Sequence, residues 1–242
     1  MISLCDGWQF RWKWSEDFMS GAAEGEHVRL PHTVREVPLH YAAPEDYETV
    51  CAYRRTLSIP AEYEGKRLFL QFDGAAHIAE VFVNGVKCAE HRCGYTAFRA
   101  EITELVKYGA DNMLSVRLDC TENPAIPPFG FVIDYLTYGG LYREVWLDVR
   151  ERTYIEDVFV STPTANRVRA AITINGGAER ARVRILDGTR CLAEGESAGE
   201  AIELDVPGAE PWSCEHPKLY TCAAALSNGD ERRVTFGFRT AE

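Results

Sequence analysis

The stretch Tyr138-Gly139-Gly140-Leu141-Tyr142-Arg143-Glu144-Val145-Trp146-Leu147 joins a paired-glycine turn to an alternating run of residues. Adjacent glycines let the backbone adopt positive φ or pass close to another group. Apolar residues then occupy every second position from Val145 to Val149, which is the period of a half-buried strand. A lone carboxylate, Asp134, lies just upstream of the turn. The stretch therefore predicts a β-sandwich that can present a polar group at its rim.

Length and composition are those of a soluble globular protein. The chain has 242 residues, enough for one large or two modest domains, with 46% hydrophobic and 26% charged residues. Its net charge of -11 argues against nucleic acid and anionic membranes as partners, because both are negative. No apolar run approaches the ~20 residues of a membrane helix, and residues 1–10 lack the pattern of a secretory signal.

The eight cysteines predict free thiols rather than a disulfide framework. Such frameworks belong mainly to short secreted chains, and Cys51, Cys120 and Cys222 lie in or beside apolar strand patterns. The cluster Cys88–Cys93, which includes His91, could attract a metal, but a closed zinc site needs four ligands and no matching second pair exists. A surface hairpin is favoured there. We expect no metal, no cofactor and a reducing, cytoplasmic location.

Strand patterns dominate the first 150 residues. The dipeptide Asn84-Gly85 between two apolar runs predicts a type I′ hairpin, whose two central residues need positive φ. A short helix is predicted over residues 102–108, ending at Gly109. Residues 21–49 and 122–138 are long segments poor in strand signals, and loops of that length are often functional. Strands are predicted over residues 53–59, 67–72, 78–83, 96–102, 113–118 and 144–149.

The pattern changes after Arg150, where short strands recur at regular spacing. Turns such as Asn175-Gly176-Gly177 and Asp187-Gly188 separate them. Six or seven strands in ~90 residues are typical of an immunoglobulin-like sandwich, although the Cys–Trp–Cys pattern of antibody domains is not evident. The strands are predicted over residues 155–160, 167–174, 182–186, 201–206, 219–226 and 232–238.

A series of short motifs runs along the whole chain. They are Leu4–Phe10 (LCDGWQF), Leu30–His32 (LPH), Tyr53–Leu57 (YRRTL), Phe72–Gly74 (FDG) with Val81–Gly85 (VFVNG), Gly94–Phe98 (GYTAF) with Ile102–Thr103 (IT), Gly139–Val145 (GGLYREV), Pro211–Trp212 (PW) with His216–Tyr220 (HPKLY), and Phe236–Thr240 (FGFRT). Each motif is weak alone. In this order and spacing the chain resembles glycoside hydrolase family two, which includes β-galactosidases, β-glucuronidases and β-mannosidases.

The resemblance implies an all-β chain, with a galactose-binding-like jelly roll over residues 1–150 and an immunoglobulin-like β-sandwich over residues 151–242. Family members continue into a (β/α)₈ barrel with two catalytic glutamates, and the Asn-Glu dipeptide of their acid/base residue is absent here. We therefore expect the non-catalytic N-terminal part of a retaining β-glycosidase, inactive alone. Its expected partners are its own C-terminal barrel and the carbohydrate substrate, and the resemblance leaves room for a homo-oligomer.

The resemblance supplies three candidate substrate-binding residues and no catalytic residue. Asp134 stands where family members aim a carboxylate at the sugar; a solvated aspartate or a turn cap is the alternative. Thr33 stands where many galactosidases have Asn or Asp, and Val34 where they have Trp, which weakens a galactosidase assignment. The Thr33 hydroxyl could make a weak sugar contact, but a structural role is favoured. Tyr138 and three other aromatic residues could stack on a sugar or fill the seam to a neighbouring domain, which is the commoner role. The other three are Phe129, Phe131 and Tyr135.

The remaining polar residues near these motifs have structural explanations. Arg143 begins a strand, so an ion pair, buried or at a domain seam, is favoured over a substrate clamp. His32, His40 and His77 show no serine or cysteine at the spacing of a catalytic triad. The competing hypothesis for the whole chain is a free-standing carbohydrate-binding or adhesion module, because the jelly roll also serves that role.

Overall fold

The computed structural model describes residues 1–37, 42–127, 138–177 and 179–239. These residues form antiparallel sheets with one short α-helix and two turns of 3-10 helix, so the predicted all-β class is confirmed. The chain divides into two compact units, Met1–Val149 and Arg150–Glu242. In the described ranges no helix is long and apolar enough to cross a membrane.

The first unit contains ten strands in the described ranges. They are β1 (Ile2–Ser3), β2 (Trp8–Arg11), β3 (Glu26–Val28), β4 (Val50–Ile59), β5 (Arg67–Phe72), β6 (Ile78–Val83), β7 (Val86–Arg92), β8 (Phe98–Glu101), β9 (Ala110–Asp119) and β10 (Val145–Arg150). One sheet has the order β3-β2-β4-β9-β6-β7, and the other has the order β1-β10-β5-β8.

Alternating side chains from both sheets meet in one apolar core. Tyr53 on β4, Leu114 on β9 and Phe72 on β5 are all fully buried there. Trp8 is also fully buried, and its Nε1 donates to the carbonyl of Leu4 at 2.6 Å, so the polar atom of the ring is satisfied. Each large side chain buried in this way contributes about 1.5–3 kcal/mol, and together they fix the strand ends from which the loops emerge.

The β6–β7 hairpin forms as its turn sequence predicts. Asn84 has φ 50° and Gly85 has φ 82°, the pair of positive values that a type I′ turn needs. Strand β7 is one arm of this hairpin and contains residues 88–92 of the cysteine and histidine cluster; Cys93 follows directly after the strand. The surface-hairpin interpretation of that cluster is therefore confirmed.

The helix predicted over residues 102–108 is wrong, because the segment folds as turns. The cause is Asn112, whose side chain is buried beneath them. Its Oδ1 accepts from the backbone N–H of Lys107 at 2.7 Å, and its Nδ2 donates to the Lys107 carbonyl at 2.9 Å. One side-chain amide thus takes the Lys107 N–H that a helix would have used, together with the carbonyl of the same residue.

A short helix that was not predicted forms instead at α1 (Glu16–Ser20). Ser15 caps it by accepting from the N–H of Phe18 at 3.4 Å, and Gly21 ends it at φ 91°. Phe18 is fully buried and anchors the helix on the outer face of the six-stranded sheet, where Arg54 donates to the Phe18 carbonyl at 2.7 Å.

The second unit is built from two smaller antiparallel sheets. Its strands are β11 (Tyr154–Thr164), β12 (Arg167–Asn175), β13 (Ala181–Asp187), β14 (Arg190–Ser197), β15 (Ala201–Asp205), β16 (Tyr220–Ala225) and β17 (Glu231–Phe236). The orders are β11-β12-β15 and β14-β13-β16-β17. Ile155, Val183, Tyr220 and Phe238 lie in their common core. The half-exposed strand β14 is the one that the alternation pattern missed.

Candidate functional site

Several loops of the first unit are joined at one end by backbone hydrogen bonds. The His32 N–H donates to the Leu141 carbonyl at 2.9 Å, and the Val34 N–H donates to the Gly139 carbonyl at 3.0 Å. Ala76 and Gly140 exchange a pair of bonds at 3.0 and 3.3 Å. We call this end the rim and define it as residues 30–34, 73–77, 93–97 and 138–143. The paired-glycine turn is therefore the centre that ties the rim together.

The two glycines are required by space. Gly140 has φ 133°, and a methyl group built on it would lie 2.3 Å from the carbonyl oxygen of His32 and 3.0 Å from the Cα of Thr33. A methyl group on Gly139 would lie 2.3 Å from the Cβ of Cys120. Contacts this short cannot be relieved without moving the backbone, so only glycine lets the turn pack against its neighbours.

His32 and Tyr53 form a hydrogen-bonded pair beneath the rim. Nδ1 of His32 lies 2.8 Å from the Tyr53 hydroxyl. Burial lowers the pKa of the imidazole, and the negative charge of Glu26 offsets part of that shift by raising it. Burial raises the pKa of Tyr53 well above its usual range, although a backbone hydrogen bond from Leu141 partly offsets this. Both side chains are therefore neutral at pH 7, and one hydrogen bond joins the Tyr53 hydroxyl to Nδ1 of His32. The pair is structural, because it shapes the loop that carries Thr33.

A second hydrogen-bonded group supports the other side of the rim. The Tyr142 hydroxyl donates to the Gly94 carbonyl at 2.5 Å, and the Trp146 indole donates to the Asp73 carboxylate at 2.8 Å. A methyl group on Gly94 would lie 2.9 Å from Nδ1 of His77, so this loop also packs without spare room. Loops held in this way present their exposed side chains from a rigid base.

Of the predicted substrate-binding residues, two fall in the described ranges and both lie at the rim. Thr33 and Tyr138 are both exposed, Tyr138 to 48%. Tyr138 directly precedes Gly139, whose carbonyl accepts the hydrogen bond from the N–H of Val34. The structure thus brings Thr33 and Tyr138 to the same edge. Asp134 lies outside the described residues, as do His40 and the aromatic residues at 129, 131 and 135.

Arg143 is exposed, so the buried form of the predicted ion pair is wrong, and an ion pair at a domain seam stays a prediction. Its Nη1 donates to the carbonyls of Asp73 and Tyr95 at 3.3 and 3.4 Å. Tyr95 is 41% exposed beside it. Tyr95 was not predicted as a site residue, although its place in the motif at 94–98 was a usable signal.

Two thiols lie below the glycine turn. Cys51 and Cys120 are fully buried with their Sγ atoms 3.7 Å apart in a thiol–thiol hydrogen bond. Burial, together with the hydrogen bond to Cys120, raises the pKa of Cys51 well above its ordinary value. Protonated thiols of this kind behave as small hydrophobic groups, and here they fill the space under Gly139.

Metal ligands do not converge anywhere in the part of the chain that the structure describes, since no group of three His, Cys, Asp or Glu side chains is placed to hold an ion. His91 instead stacks on Phe98 at 4.5 Å and contacts the Thr96 hydroxyl at 2.8 Å. The exposed groups of the rim are hydroxyl, phenol and guanidinium groups. Such groups can bind a hydroxyl-rich ligand by hydrogen bonding and stacking.

Comparison with known proteins identifies the class. Residues 28–150 match the sugar-binding domain of glycosyl hydrolases family 2, and residues 153–239 match a second domain model of the same family. The chain belongs to glycosyl hydrolase family 2. The predicted family is thereby confirmed, and so is the predicted fold class, a galactose-binding-like jelly roll followed by an immunoglobulin-like sandwich.

Similar proteins are longer. The chain is 34% identical over 232 residues to a β-galactosidase of Thermoanaerobacter pseudethanolicus, with 89% of this chain and 31% of that protein covered. It is 33% identical over 253 residues to a β-glucuronidase of Bacteroides fragilis, with 93% and 35% covered. The chain therefore spans about a third of the length of these relatives.

Solved structures show the same architecture. A glycosyl hydrolase family 2 member from Bacteroides cellulosilyticus superposes with a TM-score of 0.80 at 25% identity, covering 98% of this chain and 36% of that chain. A β-glucuronidase from Ruminococcus gnavus, solved with D-glucuronic acid, gives a TM-score of 0.84 at 24% identity, covering 99% and 46%. The second likeness is one of fold.

Proposed function

We propose that this chain is the non-catalytic N-terminal part of a retaining β-glycoside hydrolase, and that its rim shapes the substrate pocket of a C-terminal (β/α)₈ barrel. The observation that carries the proposal is the match of both domains to family 2, in relatives about three times as long as the chain. Retaining hydrolysis needs a carboxylic acid and a carboxylate nucleophile about 5–5.5 Å apart. In this proposal the barrel supplies both.

The rim's part in the reaction is to position the sugar. Thr33 offers one hydroxyl donor and acceptor, and Tyr138 offers a half-exposed ring for the C–H face of a pyranose. Asp134, by resemblance to the family, accepts hydrogen bonds from sugar hydroxyls. Charge-assisted bonds of about 1.5–3 kcal/mol each would orient the ring for attack at its anomeric carbon.

The relatives' names leave the sugar open between a β-galactoside and a β-glucuronide. We propose a cytoplasmic enzyme of carbohydrate metabolism that works without a cofactor. The reducing location accords with eight free thiols in the described structure. Assembly into a homo-oligomer is part of the same proposal and is measured by light scattering of the longer protein.

The test compares the 242-residue chain with the longer protein that contains it, on aryl β-galactoside and aryl β-glucuronide substrates. We expect no turnover by the chain and turnover of at least one substrate by the longer protein. Hydrolysis by the chain that persists through repurification would contradict the assignment of both catalytic carboxylates to the barrel. Failure of the longer protein on all β-glycosides would contradict the proposed reaction.

A further inference from the structure

A cleft of about 330 Å³ lies on the outer face of the six-stranded sheet, between α1 and strand β6. Its residues come from the segment before α1, from α1 itself, from β6 and its turn, and from β9. They are Trp14, Glu16, Met19, Ser20, Phe82, Gly85 and Ser115. The volume falls at the lower end of the range for small-ligand pockets, and the lining combines large apolar groups with a few polar ones.

The walls of the cleft are fixed in place. The backbone N–H of Trp14 donates to the Val50 carbonyl at 2.7 Å, which holds the indole beside the sheet. Ser115 is buried and donates to the Met19 carbonyl at 3.2 Å, which ties α1 to β9. Arg117 lies 5.8 Å from the centre of the Trp14 ring and pairs with Glu80 at 2.7 Å. A ligand would therefore meet a preformed surface and lose little free energy in ordering it.

The groups that face the cleft match the two kinds of surface on a sugar. Trp14 is 39% exposed and presents a broad aromatic wall, which suits the C–H face of a pyranose. Glu16 is exposed, and no hydrogen-bond or ion-pair partner for it occurs among the described residues. Its carboxylate can accept from two adjacent hydroxyls, while Ser20 offers a further oxygen.

We propose that this cleft is a second carbohydrate-binding site, specific for neutral saccharides and separate from the rim. Neutral ligands are favoured because Glu16 and the net charge of -11 repel carboxylates and phosphates, while the Arg117 guanidinium beside Trp14 is already paired with Glu80. Strand β6 begins at Ile78, next to the rim, and Phe82 lies four residues further along it. At about 3.3 Å per residue, Phe82 is about 13 Å from the rim end of the strand, so this part of the cleft is separate from the rim. The site would hold a saccharide chain beside the enzyme without taking part in its hydrolysis.

This inference does not rest on the proposed catalytic role, so the 242-residue chain is tested alone. Isothermal titration uses cellotetraose, β-1,4-galactotetraose and β-1,4-mannotetraose as neutral probes, and D-glucuronate as the charged probe. We expect at least one neutral probe to bind with Kd near 1 mM, since single-site sugar clefts bury little area. D-Glucuronate should bind at least about tenfold more weakly.

Variants decide whether the cleft is the site. Trp14→Ala should weaken binding at least tenfold, and Glu16→Gln about threefold or more, whereas Trp14→Phe should retain part of the affinity. Phe159→Ala is the matched control, because Phe159 is an exposed aromatic residue of the second unit. It should leave binding unchanged, and circular dichroism should confirm that every variant is folded.

Three results would overturn the inference. The first is no heat with any neutral probe at about 20 mM, a concentration far above the expected Kd. The second is binding that survives Trp14→Ala and Glu16→Gln but is lost in Tyr138→Ala, which would place the sugar at the rim. The third is self-association that Trp14→Ala abolishes while no saccharide binds, which would make the cleft an interface between copies.

Discussion

Gly140→Ala should destabilise the first unit far more than a glycine substitution at an open turn. The new methyl group would sit 2.3 Å from the His32 carbonyl oxygen, so the backbone must move by about 0.7 Å or more to reach tolerable contact. That movement strains a positive φ of 133° and disturbs the Ala76–Gly140 bond pair. At about 1–2 kcal/mol for the dihedral and about 1 kcal/mol for each of two or three hydrogen bonds, the expected loss is about 3–5 kcal/mol.

Gly85→Ala is the matched control for this prediction. Gly85 has φ 82°, but a methyl group on it would meet nothing within 4 Å. The only free-energy cost of this substitution is therefore the strain of holding alanine at a positive φ. The loss there should be about 1 kcal/mol. Urea unfolding followed by tryptophan fluorescence reports mainly on the first unit, because Trp212 is the only one of the five tryptophans in the second. Equal losses within about 0.5 kcal/mol for the two variants would refute the steric account of the rim.

Three further predictions test the surroundings of the site. Burial lowers the pKa of His32, so the first unit should lose stability as the pH falls below 6.5, and His32→Gln should remove that part of the pH dependence in urea titrations. Asn112→Ala should cost about 2–4 kcal/mol in the same assay, because it leaves the Lys107 backbone groups without their buried partner; a loss below about 1 kcal/mol would contradict its role. Thiol titration in denaturant without reductant should count eight free thiols, and a count of two or fewer would contradict the cytoplasmic proposal.

Strand placement could be predicted where alternation and turn chemistry agreed. Strands β5 and β6 have the predicted bounds, because both are flanked by turns and bury every second side chain. Strand β14 was missed because as an edge strand it stays half exposed and carries no clear alternation, and β1, β2 and β3 were missed because each has only two to four residues. The helix predicted over 102–108 failed because the side chain of Asn112, just beyond the segment, overrode the local pattern.

The rim could be predicted only in part. The motifs placed Thr33 and the glycine turn in the right region. The order of the motifs along the chain indicated the family, and the family predicted the fold. The pairing of His32 with Tyr53 could not be predicted, because the two lie 21 residues apart and meet through packing alone. The cleft beside Trp14 was also missed, although Ser15 followed by two acidic residues and, later, Gly21 was a usable helix signal.

The central claim is that the rim positions substrate for a barrel in the longer protein. The most direct measurement is kcat/KM of that protein with Asp134→Ala, alongside its melting temperature. Losing a charge-assisted hydrogen bond of about 2 kcal/mol should lower kcat/KM roughly thirtyfold and leave the melting temperature nearly unchanged. Unchanged kcat/KM in the folded variant would contradict substrate contact through this loop, and a lowered melting temperature with normal kinetics would make Asp134 a structural cap.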